Sequence, residues 1–323
     1  MREGLYSIIL LSYFSEERIE PVYKEVDKRL KEEGIDYEFI IIDDGSTDNS
    51  YQIAAKLAEE HNNVRAYQLS RNYTAHYAKF AGFSLAKGDI VTSMPDDWQT
   101  PMDVYIKMYR EWQNGTQVII PYRNKRNDGF FTEFFARTYY WIMNHLSDVS
   151  LPPLGADIFA VDRELVDIIN ERIHPINTSS LIEVLRLGFD PVYIPYERPK
   201  NIYCKSRWTF KKKYRLFKDT FYASSNFPIK LISWMGLLSF MLSIIVIIVS
   251  IILKLAGQET LGGFKIPGWT TTLIIISFFC GLILLSISII AEYLLRVFDE
   301  VKNRPGFIIK KNKTSIPDKQ KNN

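Results

Sequence analysis

Apolar positions in the first half of the chain fall into short runs that alternate with helical patterns. Leu5 to Leu11 is a run with only Ser7 polar, and it reads as a buried strand. Ser15 is placed to cap a helix carrying Glu16 and Glu17 in its first turn, running to about Glu33 and stopped by Gly34. Tyr37 to Ile42 predicts a second strand that runs directly into Asp43 and Asp44. Tyr51 to Glu60 predicts a helix, Val64 to Leu69 a strand, and Ala75 to Lys87 a helix. Ile90 to Met94 is a further strand, ended by Pro95, and Pro101 opens a helix over Met102 to Trp112. Val118 to Pro121 is strand again, and Phe131 to Leu146 has helical spacing with many aromatics. This alternation predicts an α/β fold with a parallel, doubly wound sheet.

The pattern changes beyond residue 200. Phe210, Tyr214, Phe217 and Phe221 recur at helical spacing among Lys211, Lys212, Lys213, Arg215 and Lys218, as in a helix lying in an anionic membrane interface. Residues 231–253 and 266–291 then contain no Asp, Glu, Lys or Arg. Each run exceeds the roughly 20 residues needed to cross a bilayer. The expected organisation is a globular domain over 1–202, an amphipathic segment over 203–229, a two-span hairpin over 230–295 and a tail over 296–323. Basic residues flank the outer ends of both runs, which predicts a multi-pass protein with both ends cytoplasmic in the plasma (inner) membrane. The apolar run at Leu5 is too short for a signal peptide.

Charge and composition add little to this. The net charge of +3 is mild, and no nucleic-acid partner is expected. The two cysteines, Cys204 and Cys280, do not suggest a disulfide, and the four histidines lack metal-ligand spacing. No Gly-x-Gly-x-x-Gly fingerprint or Walker loop occurs. Carboxylates stand at the predicted strand ends instead: Asp43 and Asp44 after one, Asp96 and Asp97 after another. Open α/β sheets bind ligands at that edge. Hard oxygen ligands there suit Mg²⁺ or Mn²⁺ carried with a diphosphate. A solvated, helix-capping turn is the plainer account of each pair.

The runs Ser7–Tyr13, Asp43–Asp48, Leu69–Asn72, Ala86–Asp89 and Met94–Gln99, taken in order, resemble the successive motifs of family-2 glycosyltransferases. Ala291–Pro305 resembles the C-terminal signature of the branch that charges a polyisoprenyl phosphate with a sugar, which includes dolichol-phosphate mannose synthase and bacterial undecaprenyl-phosphate glucosyltransferases. The resemblance implies a GT-A, Rossmann-like nucleotide-sugar-binding domain. It also implies inverting transfer from a UDP- or GDP-linked sugar to a polyisoprenyl phosphate at the bilayer, by a homo-oligomer such as a tetramer. It assigns Ser12, Asp44, Arg71 and Asp96 to the nucleotide, Asp97 to the metal, and Gln99 to the sugar or diphosphate. Leu154–Arg163 resembles the motif that places Asp157 at the catalytic position, either as base or as a group that orients the acceptor. Arg123, Arg137, Lys205 and Arg207 match positions for the acceptor phosphate.

The chain departs from the family at four places. Pro95 replaces the first Asp of the metal motif, leaving Asp97 alone or Asp97 with Asp96 as ligands. Leu11–Glu16 is altered around Glu16, Thr74-Ala75-His76 stands in place of Gly-Lys-Glu, and Phe159 replaces an arginine. A transferase acting on a lipid-linked glycan and a non-catalytic membrane scaffold are the alternatives.

Overall fold

The computed structural model describes residues 2–124, 145, 149, 156, 158–176, 178–197, 227–255, 268–302 and 304–310. They fall into two compact units, one of residues 1–224 with 304–323 and one of residues 225–303.

The first unit is a seven-stranded sheet in the order β3-β2-β1-β4-β6-β5-β7. Its strands are β1 (Tyr6–Ser12), β2 (Tyr37–Asp43), β3 (Val64–Gln68), β4 (Ile90–Pro95), β5 (Val118–Arg123), β6 (Ala160–Asp162) and β7 (Pro191–Tyr196). Its helices are α1 (Ile19–Glu32), α2 (Ser50–Glu60), α3 (Ala75–Leu85), α4 (Met102–Gln113), α5 (Arg163–Arg172) and α6 (Ser180–Arg186). β1 pairs in parallel with both β2 and β4, so the strand order reverses around β1. Every residue of β2 is buried, and in β1 all but Leu11 are, as expected for strands covered on both faces. Ile8, Leu10, Phe39 and Ile41 face a core built with α1, α2 and α4. Ile9, Ile40, Ile42 and Val91 face a second core built with α3, α5 and α6.

The sheet is mixed rather than wholly parallel. β6 runs antiparallel to both β4 and β5. Its three residues are too few to carry a period-2 signal, and β7 likewise escaped the pattern. The Thr92 hydroxyl fastens β6 by donating to the Phe159 carbonyl at 2.8 Å. Asp162 caps α5 by accepting from the Glu164 amide at 3.1 Å.

Three further boundaries differ. β4 includes Pro95, which pairs with Leu11 at the last ladder position, where its missing N–H costs little. Pro101 sits at the cap of α4 rather than inside it. α1 begins at Ile19 with Arg18 at its cap, and Ser15 makes no cap bond there. The Ser15 hydroxyl instead accepts from the Tyr13 amide at 3.0 Å.

The second unit holds α7 (Phe227–Leu255) and α8 (Gly268–Val301). Among the described residues one stretch, Phe278–Phe298, is long and apolar enough to cross a membrane, and Phe227–Ser239 is a shorter apolar stretch. The helix expected over Phe131 to Leu146, apart from His145, and the amphipathic segment up to Asn226 lie outside the described residues.

Candidate active site

Three non-glycine residues among those described have positive φ: Phe14 at 50°, Thr74 at 82° and Trp98 at 54°. They follow β1, β3 and β4, all at the carboxyl edge of the sheet. Such conformations cost roughly 1–3 kcal/mol each and gather at functional sites. The same edge, beside the reversal between β1 and β4, is where open α/β sheets form their binding crevice.

The loops after β1 and β2 are tied together by short polar side chains. The fully buried Asp43 carboxylate accepts from the Ser46 amide at 3.0 Å and from the Ser46 hydroxyl. The same hydroxyl accepts from the Phe14 amide at 3.0 Å. The Ser50 hydroxyl accepts from the Ser15 amide at 2.7 Å, and Glu16 accepts from the Asn49 amide at 3.1 Å. Glu16 thereby serves the start of α2.

Asp44 does different work. One oxygen accepts from the Tyr73 amide at 2.7 Å and the other from the Thr74 amide at 2.9 Å. Burial pushes its carboxyl up to about 6, against the pull of those two N–H groups. Gly45, with φ of 71°, lets this turn press against the next one: a Cβ there would lie 2.5 Å from the Arg71 carbonyl carbon. The Arg71 guanidinium stacks over the Tyr73 ring at 4.6 Å. The Ser12 hydroxyl, on β1 beside Asp43, is buried with no hydrogen-bond partner among the described residues. A buried hydroxyl left over in a crevice is a donor and acceptor waiting for a ligand.

Beyond β4 the two acids separate in role. Asp96 forms an ion pair with Arg18 at 3.0 Å and accepts from the Ser15 hydroxyl. Arg18 also donates to the Phe14 carbonyl at 2.6 Å, so Asp96 clamps the β1 loop to the β4 loop. Asp97 accepts from the side-chain amide of Gln99, two residues on. Among the described residues no group of three or more His, Cys, Asp or Glu could hold an ion. A lone carboxylate still fits Mg²⁺ or Mn²⁺ bound chiefly through substrate phosphates, because these ions favour one or two carboxylates plus the phosphate oxygens. Asp97 fits that donor set better than Asp96, whose charge Arg18 already answers.

Ser12, Asp44, Arg71, Asp96, Asp97 and Gln99 therefore all stand on loops or strand tips of one sheet edge. Arg123 is the last residue of β5. Asp157, Arg137, Lys205 and Arg207 lie outside the described residues. Arg18 and Gln68 were not singled out from the sequence, and Ser15 and the Asp43–Asp48 turn were read there as helix-capping residues.

The profile described as "Glycosyl transferase family 2" matches residues 7–166, from β1 into α5. That span contains every strand tip just described except that of β7. The chain carries a family-2 glycosyltransferase domain. Its α/β fold is GT-A-like with a mixed sheet, and the protein is a glycosyltransferase. The transferase is 29% identical to the protein CsbB of Bacillus subtilis (strain 168), over 99% of this chain and 94% of that protein. It is 26% identical to the undecaprenyl-phosphate 4-deoxy-4-formamido-L-arabinose transferase of Proteus mirabilis (strain HI4320), over 94% of this chain and 93% of that one. It is 27% identical to the SfII prophage-derived bactoprenol glucosyl transferase of Shigella flexneri, over 96% and 99%. Among solved structures, glucosyl-3-phosphoglycerate synthase from Mycobacterium tuberculosis with Mn²⁺, UDP-glucose and phosphoglyceric acid matches at 16% identity and a TM-score of 0.43, over 66% of this chain and 76% of that one.

Proposed function

We infer that the protein transfers a sugar from a nucleoside-diphosphate sugar to a polyisoprenyl phosphate at a membrane surface, releasing the nucleoside diphosphate. The carrying observation is that similarity to a bactoprenol and an undecaprenyl-phosphate glycosyltransferase extends over at least 94% of this chain, and so through the apolar helix α8 as well as the domain. A lipid-phosphate acceptor accounts for such a helix on a transferase. Leu284 and Leu294 on α8 are each 67% exposed. Exposed apolar surface of this extent is stable in hydrocarbon and costly in water. The two-span hairpin with both ends cytoplasmic, and an assembly of several copies, belong to the same reading.

On the domain, Asp44 and Ser12 are suited to meet the base and ribose, and Arg71 the nucleotide's charge. Asp97 would hold Mg²⁺ or Mn²⁺, which when bound neutralises charge on the departing diphosphate. Gln99 is placed beside it for a sugar or diphosphate oxygen. Arg123, with Arg137, Lys205 and Arg207, would grip the acceptor phosphate, since a guanidinium meets phosphate oxygens in pairs. Asp157 would orient the acceptor. A phosphate monoester with a second pKa near 6 is already largely anionic at neutral pH, so proton removal is a small demand.

The purified protein in detergent, given undecaprenyl phosphate and a panel of UDP- and GDP-sugars with Mg²⁺, should form one lipid-phosphate sugar detectable by mass spectrometry. EDTA should abolish it. Sugar appearing on no lipid phosphate across the panel would refute the reading.

A further inference from the structure

The segment after α8 returns to the first unit. The Ser70 amide donates to the Ile308 carbonyl at 2.8 Å, and the Lys310 amide donates to the Gln68 carbonyl at 2.8 Å, an antiparallel bridge between Leu69 and Ile309. Phe307 and Ile309 pack on the core that α3 covers. Gly306 passes so close to Pro175 and Tyr77 that a Cβ there would lie 2.6 Å from the Pro175 ring and 3.3 Å from the Tyr77 ring. Residues 304–310 thus form a strap over the turn that joins β3 to α3.

That turn carries the two amides that hold Asp44. The strap reaches the other turns of the site as well. The Lys310 ammonium donates to the Gln68 side-chain carbonyl at 2.9 Å, and the Gln68 amide donates to Asp43 at 2.8 Å. Asp43 in turn holds Ser46, whose hydroxyl receives the Phe14 amide. One hydrogen-bonded path therefore runs from the strap across the tips of β3, β2 and β1. Protection of an exposed sheet edge is not its main effect. β3 is the edge strand, but the bridge falls at Leu69, one residue beyond it, and among the described residues no bridge pairs the free edge of Val64 to Tyr67.

We propose that the strap is a positioning element for the nucleotide site: Phe307, Ile309 and Lys310 hold the Gln68–Thr74 turn in the form that binds the donor. The proposal rests on the functional reading above for the identity of the ligand, not for the effect on the turn. Without the strap only part of the population keeps a competent turn, and apparent nucleotide affinity falls by that fraction.

The test uses the full-length protein with Ile309→Asp, Ile309→Val as the conservative control, and Lys310→Met to cut only the polar path. Hydrogen exchange of the ligand-free protein reads the turn. Calorimetry with UDP and with GDP in Mg²⁺ reads affinity, and turnover reads KM for undecaprenyl phosphate. In Ile309→Asp the Tyr73 and Thr74 amides should exchange about tenfold faster, and nucleotide Kd should rise about tenfold, as expected if the competent fraction drops to about a tenth. KM for the lipid phosphate should stay within about twofold, Ile309→Val should match the parent, and Lys310→Met should fall between. The proposal is overturned if the Tyr73 and Thr74 amides are unaffected while residues 306–310 open. It is equally overturned if nucleotide affinity, lipid KM and melting temperature all worsen together, the pattern of a purely structural contact. If the parent protein binds neither nucleotide, the functional reading fails, and the exchange data still decide whether the strap holds the turn.

Discussion

The two edges of the same sheet are built on opposite plans. At the amino edge every buried charge is answered. Glu38 accepts from the Ser7 hydroxyl at 2.5 Å, from the Lys87 and Gly88 amides at 2.6 and 3.2 Å, and from Arg65. Asp89 accepts from the Leu5 amide at 2.8 Å, and Arg163 donates to the Gly88 and Ala86 carbonyls. At the carboxyl edge three non-glycine residues hold positive φ, the Ser12 hydroxyl is buried without a partner among the described residues, and burial raises the Asp44 carboxyl. The described buried charges of the amino edge are satisfied where the domain only has to hold together. Backbone strain and a desolvated carboxylate gather where it has to receive a ligand. The run Ala86–Asp89, part of the family's motif order, belongs to the first kind: its backbone and Asp89 form the clamp at the closed edge.

The largest expected effect tests the closed edge. Glu38→Ala leaves Arg65, the Lys87 amide and the buried Ser7 hydroxyl without their acceptor, while the Gly88 amide keeps Ser7, a loss of about 3 kcal/mol or more. Urea denaturation should show that loss, while turnover per folded molecule stays at the parent level. Reduced turnover in the folded fraction would mean that the two edges are not separable.

At the open edge the balance reverses. Asp97→Ala should cost about a hundredfold or more in turnover, the scale seen when one group that stabilises transition-state charge is removed. Its melting temperature, measured alongside, separates a lost reaction from a lost fold: a fall in turnover with the melting temperature near the parent value is the expected outcome. Asp96→Ala is the contrasting variant. It should lower stability by releasing Arg18 and the β1 loop from the β4 loop, with a smaller effect on the metal dependence of the reaction.

A third prediction uses the Asp44 carboxyl, raised from 3.8 to about 6 by burial. A carboxyl whose folded pKa is raised binds its proton more tightly in the folded state. Its contribution to stability is therefore greatest below the unfolded value and is lost as pH rises from about 4 through 6. Donor binding should move the other way, since the ionised form is the better acceptor for a ribose hydroxyl or a base N–H. Nucleotide Kd should weaken as pH falls below 6, and Asp44→Asn should flatten both profiles. Coincident profiles for the variant and the parent would show that Asp44 does not titrate in this range.

How much of this was visible beforehand follows from the physics of each element. β1, β2 and β4 are buried on both faces, so their largely apolar runs gave them away. β6 is three residues long and is paired through Thr92 and the Phe159 carbonyl, contacts distant in sequence that no local pattern encodes. The acids at the strand tips were legible as a site because Asp-rich ends stand out against apolar strands. Their division of labour was not, because it depends on Arg18 reaching Asp96 and on the Tyr73 and Thr74 amides reaching Asp44. The strap was hidden for the same reason: residues 304–310 are ordinary in composition, and their meaning lies in the turn they cover.

The smallest effect concerns Thr74, which has φ of 82° and ψ of 160° and donates its amide to Asp44. A β-branched residue there is strained by roughly 1–3 kcal/mol. Glycine removes that strain and keeps the amide, at an entropic cost of about 0.5–1 kcal/mol. Thr74→Gly should therefore be more stable by about 1 kcal/mol, measurable as a shift in the urea midpoint at unchanged slope. Its nucleotide affinity separates two accounts of the strain. If threonine is held there because its stiffness keeps the turn in one form, the glycine variant should bind nucleotide less tightly despite its greater stability, with faster exchange at Tyr73. If affinity and exchange are unchanged, the strain is a passive result of packing between the Asp44 turn and α3, and the open edge owes its preorganisation to Asp44 and the strap instead.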